Sequence, residues 1–449
     1  MIELLNQAAA RAGRYLQEID RRSVAPPADA LERLAELDEP LPDGPSSPET
    51  VIDALDRIGS PATMAATGGR FFGFVHGGCL PVALAANWLA GAWDQNAVLF
   101  VTSPAAAAIE EVGLRWLLQV LHLPAGCGGA FVTGATMASF SSLAAARTAV
   151  LEQAGWDVES DGLAGAPAVT VVVGEEVHPS VLKSLALLGF GRRRVQVVPV
   201  DSQGRMRVEA FPKLQAPAIV CVQVGNVNTG ACDPVREICA IAHQSGAWVH
   251  VDGAFGLWAA ASPALAHLVA GVEEADSWAT DAHKWLNVPY DSGLAFVRNP
   301  TYLNRAMALT AAYIPLAARR DPGQFTPELS RRARGVEIWA ALRALGRSGL
   351  ADQIERTCRH ARRFAEALAA AGCEVLNDVV LNQVLVSFGE ADTTLRVIDR
   401  IQRDGTCWCG GTTWQGRVAM RISVSSWATT EADVERSLAA MLDAKRAAG

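Results

Sequence analysis

Lys284 is the residue of this sequence with the clearest chemical potential. It lies in the stretch WATDAHKWLNVPYDSG, directly after His283 and three residues after Asp281. Lysine is rarely buried, and its charged end usually stays in water. Here it follows residues typical of a buried strand. Since desolvation lowers the pKa of an amine, a lysine in such a place can act as a nucleophile toward a carbonyl group.

Asp252 is a second candidate, at the end of the apolar stretch VHVDGAFG. Taken alone, a carboxylate there more often caps the next turn than takes part in chemistry. The alternative is an anion directed into the crevice at the carboxyl edge of a sheet, where ligands of α/β proteins bind. In enzymes whose cofactor contains a pyridine ring, such a carboxylate pairs with the protonated ring nitrogen. The ring can then accept electrons during the reaction.

Two further stretches contain polar groups at strand-to-helix junctions. In FVTGATMASFSSL, the start of a helix offers backbone N–H groups to a phosphate, and the hydroxyl groups of Thr136 and Ser139 add donors. An ordinary hydroxyl-capped helix explains that pattern equally well. His178, in GEEVHPSVLKS, either caps a helix, which is the commoner case, or stacks on a ring.

These four features together predict pyridoxal 5′-phosphate (PLP) chemistry. Lys284 forms a Schiff base with the carbonyl group of the cofactor, and Asp252 pairs with the ring nitrogen. His178 stacks on the ring, and the 134–139 turn holds the phosphate. No single feature among them decides the matter.

Composition and charge exclude several other classes of protein. The 449 residues carry a net charge of −8, which argues against a nucleic-acid-binding protein. The most apolar run is too short to span a membrane, and the first residues lack the features of a signal peptide. The nine cysteines include no CxxC pair, and the histidines show no HxxxH or HExxH spacing, so we expect no metal site. The scattered cysteines also predict a reducing, cytoplasmic location.

Strand-like and helix-like segments alternate from about residue 105 onward. The apolar runs predict strands at 169–173, 195–200, 219–224, 248–252, 277–280 and 294–297. Strands that are apolar throughout and alternate with helices indicate an α/β fold, with a mostly parallel sheet covered on both faces. We expect an N-terminal helical segment at 1–70, a large cofactor-binding domain at 71–312, and a loop with a small C-terminal α+β domain at 313–449.

Seven motifs occur in the order found in one enzyme family. They are TDAHKWLN with PYDSG, HVDGAFG, GEEVHPSVLKSLALLGFG, VPVDSQGRM, GNVNTGACDP, SRRARGVEIWAALRALGRSGL and RISVSSWATTEADV. From about Phe71 onward the sequence resembles the group II PLP-dependent amino-acid decarboxylases. The resemblance implies the type I, aspartate-aminotransferase-like fold, a homodimer with shared active sites, and conversion of an L-amino acid to an amine and CO2.

The resemblance also implies roles for single residues. Lys284 matches the Schiff-base lysine, Asp252 the partner of the ring nitrogen and His178 the stacking imidazole. The other matched cofactor contacts are Ala135, Thr136, Asn228, Ala254, Asp281 and His283. Tyr313 matches a loop tyrosine that protonates Cα after CO2 leaves. Relatives with phenylalanine there resemble aldehyde synthases, and a core tyrosine is the alternative interpretation.

The substrate pocket is predicted from two stretches, GGRFFGFVHGG and NAVLFVTSP, that match the substrate cleft of the family. Phe72, Phe74 and Phe100 favour an apolar or aromatic substrate, although packing in the core explains them equally well. Arg70 and His76 keep a polar substrate open. Another PLP reaction, namely that of an aldehyde synthase, a transaminase or a C–C lyase, and a non-catalytic dimeric relative remain as alternatives.

Overall fold

A computed structural model describes residues 1–309 and 319–448, so Tyr313 lies outside the described residues. The chain forms two compact units. The first comprises Met1–His76, Arg362–Leu376 and Val384–Gly449, and the second comprises Gly77–Ala361 and Asn377–Gln383. The borders between these two units do not coincide with the expected domain boundaries at residues 71 and 313. One reason is that side chains beyond 313 bond into the second unit, as Gln353 does to the carbonyl of Trp285 at 2.8 Å.

The helices and strands of the described residues are named in chain order. The helices are α1 (Ile2–Glu18), α2 (Ala28–Glu32), α3 (Pro48–Ala54), α4 (Ser60–Ala62), α5 (Pro81–Trp93), α6 (Pro104–Val120), α7 (Ala135–Gln153), α8 (Val158–Asp161), α9 (Pro179–Leu187), α10 (Val235–His243), α11 (Pro300–Met307), α12 (Gly335–Ala370), α13 (Ala391–Asp404) and α14 (Glu431–Ala448). The strands are β1 (Gly128–Val132), β2 (Thr170–Gly174), β3 (Gln196–Val198), β4 (Ala218–Gln223), β5 (Trp248–Asp252), β6 (Ser277–Asp281), β7 (Gly293–Val297), β8 (Glu374–Val375), β9 (Gln383–Ser387), β10 (Gly410–Trp414) and β11 (Arg417–Ser423).

A seven-stranded sheet forms the centre of the second unit, in the order β1-β7-β6-β5-β4-β2-β3. Only β7 runs antiparallel to its neighbours, β1 and β6, and the other strands are parallel. All residues of β5, β6 and β7 are buried, as expected for strands covered on both faces. The predicted α/β architecture with a mostly parallel sheet is confirmed.

Helix α7 packs unusually closely against this sheet because its residues are small. Its buried side chains include Ala138, Ser142, Ala145 and Ala149. At its start, Gly134 touches Gly293 so closely that a Cβ at position 293 would collide with the backbone of Gly134. This contact brings the N-terminus of α7 to the point where β6 ends and β7 begins.

Local sequence signals account for several helix boundaries. Ser47 caps α3 as its side chain accepts the N–H of Thr50 at 3.2 Å, and Pro48 occupies the first helical position. Helix α12 consists of two helical segments with a break at Gly346, where φ is +60°. Before it begins at Gly335, Arg331, Arg332 and Arg334 make ion pairs with Glu110, Glu337 and Asp291.

The first unit contains the predicted small α+β domain. Its four-stranded sheet has the order β10-β11-β9-β8, α13 packs against β10 and β11, and α14 packs against α13. Phe72 is buried in this unit and meets Phe364 edge to face at 5.1 Å. Among the described residues, no helix is long and apolar enough to cross a membrane.

Candidate active site

The loop between β6 and β7 carries Lys284. Because these strands are antiparallel, with Asp281 opposite Gly293, both ends of the loop lie at the carboxyl edge of the sheet. Lys284 Nζ lies 3.3 Å from Asp281 Oδ2. The lysine side chain is mostly buried, and the Asp281 side chain is only 4% exposed. The Asp281 carboxylate therefore orients the amine from inside the protein.

The main chain around Lys284 is held by close contacts. Asn287, at a positive φ of 58°, donates from Nδ2 to the Lys284 carbonyl at 3.1 Å. Gly77 lies directly against the same carbonyl, and a Cβ there would collide with its oxygen. Trp285 is fully buried, and its Nε1 donates to Thr357 Oγ1 at 2.9 Å. The position of the lysine is thus fixed from both sides of the chain.

Asp281 connects this loop to α7 and to β5. Its Oδ1 accepts the N–H of Ala135, the first residue of α7, at 2.6 Å. Its own N–H donates to the carbonyl of Ala254 at 2.9 Å, and its carbonyl accepts from Trp258 Nε1 at 2.9 Å. The first N–H groups of a helix have no partner within the helix. With that of Ala135 taken by Asp281, those of Thr136 and its successor are available to an anion.

His283 is held in one tautomer when it is neutral. Its Nδ1 accepts the N–H of Ser292 at 3.1 Å, so the ring hydrogen is on Nε2. That atom lies 3.5 Å from Asp281 Oδ1. Burial lowers the pKa of His283, and the nearby positive charge of Lys284 acts in the same direction. Its ring stacks on Tyr290 at 4.2 Å. The result is a neutral N–H donor beside the N-terminus of α7.

Asp252 ends β5 at the same edge and is 4% exposed. Its Oδ1 accepts the N–H of Ala254 at 3.2 Å, which is the turn-capping contact. Burial raises the pKa of Asp252, whereas the positive charges of His178 and Lys284 oppose this rise. Asp252 is therefore a buried carboxyl group that caps a turn and is also acted on by the charges of His178 and Lys284.

His178 takes the capping position at the start of α9. Its Nδ1 accepts the N–H of Ser180 at 3.3 Å and lies 2.7 Å from Ser180 Oγ. It also lines, together with Asp252, a small cavity with room for about one water molecule. His178 therefore caps α9 and also lines the same cavity as Asp252. Helix α9 is tied to α7 because Ser184 Oγ donates to the carbonyl of Thr136 at 2.9 Å.

Asn228 lies in the turn that follows β4. Its N–H donates to Asn226 Oδ1 at 2.8 Å, and the residue is 7% exposed. The N–H of Thr229 donates to the same oxygen at 3.2 Å, so Asn226 shapes the turn. The structure thus places Asn228 in a rigid turn after the strand that neighbours β5, and its role toward the cofactor stays a prediction.

The four predicted substrate contacts lie in different surroundings. In the first unit, Phe72 is a core residue, while Phe74 is 66% exposed and lies 5.5 Å from the ring of Trp408. His76 lies 5.1 Å from the ring of Phe71 in the same unit. Phe100 belongs to the second unit, where the guanidinium of Arg319 covers its ring at 4.7 Å. Core packing accounts fully for Phe72, and the pocket stays a prediction for the others.

Sequence reasoning missed three residues of this region, namely Gly77, Tyr290 and Asp233. Each falls inside a motif that was recognised, but none belongs to a residue type that draws attention without its contacts. Tyr290 is the aromatic residue of the PYDSG segment, but only the structure shows that its ring lies against that of His283. Asp233 lines the same cavity as His178 and Asp252.

The chemistry of these groups fits PLP. A buried carboxyl group acted on by two basic side chains suits a protonated pyridine nitrogen, and an amine at the same sheet edge suits attachment of a carbonyl group. Free N–H groups at the start of α7, with the Nε2–H of His283 beside them, suit a phosphate. Among residues 1–309 and 319–448, no group of three His, Cys, Asp or Glu side chains is arranged to hold a metal ion.

Comparison with known proteins agrees with this chemistry. Residues 31–389 match the family described as the pyridoxal-dependent decarboxylase conserved domain. The aromatic-L-amino-acid decarboxylase of Bacillus atrophaeus is 28% identical over 347 residues, which cover 74% of this chain and 69% of that protein. The 4-hydroxyphenylacetaldehyde synthase of Rhodiola rosea is 25% identical over 374 residues, with 79% and 75% covered.

The fold agrees as well. The crystal structure of Oryza sativa TDC with PLP and tryptamine superposes with a TM-score of 0.92 at 23% identity, covering 99% of this chain and 97% of the other. The predicted type I fold, PLP as the cofactor, and amino-acid decarboxylase activity are confirmed at the level of the family. Since the matched region spans most of the sequence, this protein belongs to the pyridoxal-dependent decarboxylase family.

Proposed function

We propose that this protein converts an aromatic or apolar L-amino acid to the corresponding amine and CO2, using PLP attached to Lys284. The observation that carries the proposal is the position of a buried carboxyl group, that of Asp252, at the sheet edge that also carries the Lys284 amine. An amino-acid decarboxylase needs both groups, since one attaches the cofactor and the other keeps its ring nitrogen protonated.

When bound, PLP supplies an electron sink that accepts the electrons of the bond broken at Cα. The protein residues set the conditions for this chemistry. Asp252 would hold a proton at the ring nitrogen, because a carboxylate beside that nitrogen stabilises its protonated form. Asp281 keeps the Lys284 amine in place through the 3.3 Å contact. His283 and the first N–H groups of α7 bind the phosphate.

The aromatic substrate class is supported by the relatives, since the Bacillus atrophaeus protein is named an aromatic-L-amino-acid decarboxylase. Phe100 supports it from the side of this chain. Its ring is half-buried, the Arg319 guanidinium lies 4.7 Å from the ring centroid, and the Phe100 N–H fixes the main chain by donating to Asp321 Oδ1 at 2.7 Å. A fixed aromatic surface of this kind suits an aromatic side chain.

A panel experiment tests the proposal. The holoenzyme is incubated with each of the common L-amino acids and with hydroxylated aromatic derivatives, and amines, CO2, aldehydes, keto acids, ammonia and peroxide are measured. We expect an amine and CO2 in equal amounts, with the highest kcat/KM for tryptophan, tyrosine, phenylalanine or a hydroxylated derivative. Keto acid as the main product, or turnover of acidic amino acids alone, would contradict the proposal.

Aldehyde synthesis is the second candidate, because the Rhodiola rosea relative is an aldehyde synthase. Tyr313 separates the two reactions at the level of sequence. We predict that the wild-type enzyme releases amine and CO2, and that Tyr313→Phe consumes O2 and water and releases aldehyde, CO2, ammonia and hydrogen peroxide in place of amine. The same products from both proteins would remove Tyr313 from the mechanism.

A homodimer is the assembly that we propose. Helix α5 exposes Trp88, Leu89 and Trp93 to between 44% and 55%, and the N-terminal helices also expose large apolar residues. Apolar patches of this kind mark protein interfaces. Sedimentation should give the mass of two chains, and Trp88→Glu should shift it toward one. A wild-type protein that stays monomeric at micromolar concentration would exclude the assembly.

We also propose a cytoplasmic location. All nine cysteines have free thiols, as expected in a reducing compartment. Fractionation of cells that express the tagged protein tests this location, and recovery with secreted or membrane material would contradict it.

A further inference from the structure

Asp233 is a buried carboxylate to which the mechanism above assigns no task. Both of its side-chain oxygens accept main-chain N–H groups. Oδ1 accepts from Met206 at 2.8 Å and Oδ2 from Gln223 at 2.6 Å. The residue is 8% exposed. Its own N–H donates to the carbonyl of Gln223 at 2.9 Å. Asp233 thus joins three segments that are distant in sequence.

The need for this carboxylate follows from the sheet. Strand β4 pairs with β2 only as far as Cys221, but it pairs with β5 as far as Gln223. Past Cys221 the side of β4 that faced β2 is occupied by residues 231–233, which form a single antiparallel bridge at Val224 and Cys232. The Asp233 side chain accepts the N–H of Gln223 there, which would otherwise be buried without a partner, and it also fixes the 201–206 turn through Met206.

The same contacts reach the candidate active site. Gln223 is the residue of β4 that lies opposite Asp252 on β5, and the N–H of Val224 donates to the Asp252 carbonyl at 2.8 Å. Asp233 lines the small cavity behind Asp252 and His178. A shift at Gln223 is therefore transmitted through one residue to the main chain of Asp252.

We propose that Asp233 is a positioning residue for the decarboxylation, whose ionised carboxylate joins the 201–206 turn to the end of β4 and so fixes Asp252 under the cofactor. This inference rests on the proposed function, because it assigns the task of Asp233 to the placement of Asp252. The predicted defect is in cofactor binding and in the local order of two segments, and neither requires knowledge of the substrate.

Because Asp233 can be protonated, the positioning of Asp252 by its carboxylate is expected to depend on pH. Burial raises the pKa of Asp233 to about 6, although the N–H groups of Gln223 and Met206 oppose the rise. The charged groups that face it are Asp201, Arg205, Glu176, His178 and Asp252. For Asp201, burial favours a higher pKa, but hydrogen bonds from Arg205 and Gln203 lower it overall, so Asp201 stays ionised throughout. Once protonated, Asp233 loses acceptor capacity on one oxygen, and one of the two N–H contacts weakens.

Hydrogen exchange tests the contacts directly, with Asp233→Asn and Asp276→Asn as a matched pair. Asp276 also accepts a strand N–H, that of Val249 at 2.8 Å, but at the amino end of β5. We expect faster exchange in Asp233→Asn for peptides that contain Met206 and Gln223. In Asp276→Asn these peptides should exchange at the wild-type rate. Unchanged exchange at Met206 and Gln223 in Asp233→Asn would overturn the proposal.

Cofactor titration of the apoprotein gives the second readout. At pH 7.5 we expect Asp233→Asn to bind PLP roughly tenfold more weakly, the effect of one lost hydrogen bond to a charged group. The affinity ratio between pH 7.5 and pH 5.5 should be smaller in Asp233→Asn than in the wild type, because the variant lacks the titrating carboxyl group. Asp276→Asn should keep the wild-type affinity and ratio. Wild-type affinity and ratio in Asp233→Asn would refute the assignment.

If Asp233→Asn does not fold, the same contacts can be tested in the wild-type protein at two pH values. Protection factors of the Met206 and Gln223 amides, corrected for intrinsic exchange rates, should then be lower at pH 5.0 than at pH 7.5, while those of β6 stay constant. Equal protection at both pH values would contradict the proposal. If the panel experiment yields no amine but these exchange differences appear, the proposed function fails and the positioning of Asp252 by Asp233 stands.

Discussion

Two histidine–aspartate pairs lie at opposite edges of the same sheet and behave in opposite ways. At the amino edge, His243 Nε2 lies 3.0 Å from Asp276 Oδ2, with side chains that are 39% and 21% exposed. The hydrogen bond to Asp276 raises the pKa of His243. At the carboxyl edge, His283 and Asp281 are 3.5 Å apart and almost fully buried, and burial lowers the pKa of His283.

The two edges differ in how completely their charged groups are paired with groups of opposite charge. Charges at the amino edge have partners of opposite sign at the surface, as Arg236 has in Glu273 and Glu274 at 3.1 and 2.9 Å. At the carboxyl edge, Asp252 and Asp281 are buried and lie near a single lysine. Incompletely compensated buried charges are unfavourable for stability, and they are the groups whose protonation can be tuned for catalysis.

The largest effect is expected when the amine is removed from the carboxyl edge. Lys284→Ala should lose at least about 10³-fold in amine production, because it removes the group that attaches the cofactor. The absorbance band of the bound cofactor should disappear with it. The control is Lys183→Ala, an exposed lysine on α9. Turnover of Lys284→Ala near the wild-type rate would exclude the proposed role.

Replacing one carboxylate at each edge sharpens the comparison. Asp252→Asn should lower kcat on the order of 10³-fold, because the ring nitrogen loses its proton partner. Since burial raises the pKa of Asp252, its contribution to stability falls as the pH rises through that pKa, so Asp252→Asn should melt no lower than the wild type at pH 7.5. Asp276→Asn should keep its kcat. Equal losses of kcat in both variants would break the comparison.

A glycine pair tests how closely the carboxyl edge is packed. A Cβ at position 77 meets the Lys284 carbonyl oxygen, so Gly77→Ala should destabilise the fold by about 1–3 kcal/mol and displace the lysine. Gly349, inside α12, has only ordinary contacts around it, the nearest at 3.6 Å from Leu345 Cβ, and Gly349→Ala should stabilise by up to about 1 kcal/mol. Urea unfolding and kcat measure both. An unchanged kcat in Gly77→Ala would contradict the close contact.

The smallest expected effects are changes in the pH dependence of stability. The raised pKa of His243 means that its contribution is complete below the ordinary histidine pKa and is lost as the pH rises through the folded-state value. The lowered pKa of His283 means that its contribution is complete above the ordinary pKa and is lost as the pH falls. Melting curves of His243→Gln and His283→Gln from pH 5 to 9 should therefore deviate from the wild type at opposite ends. Deviation at the same end would remove the contrast.

The strands could be predicted from the sequence, but their order could not. The run at 248–252 predicted β5 with its observed bounds, because Trp248, Val249 and Val251 are apolar and Asp252 ends the run. The run at 294–297 has the same pattern, yet β7 is antiparallel. An apolar run does not specify strand direction, which depends on the connection and on contacts such as that between Gly134 and Gly293.

The candidate site could be predicted where a residue acts through its own chemistry. Lys284 and Asp252 stand out by type and position, and the structure brings both to one sheet edge. Asp233 acts through two N–H groups of remote segments, which no spacing reveals. Phe72 and Phe74 look equivalent in sequence, but they are 1% and 66% exposed. Their difference arises from tertiary packing alone.

The antiparallel β6–β7 hairpin has a consequence for how the Lys284 loop sets the reach of the amine. Because the two ends of the loop are neighbours in one ladder, closing the loop requires little loss of chain entropy. The interior of the loop is nevertheless packed into the core, since Ala282, Trp285, Leu286 and Val288 are fully buried. An insertion or deletion inside the loop would have to displace these side chains, so the reach of the amine is set by their packing and not by loop length alone.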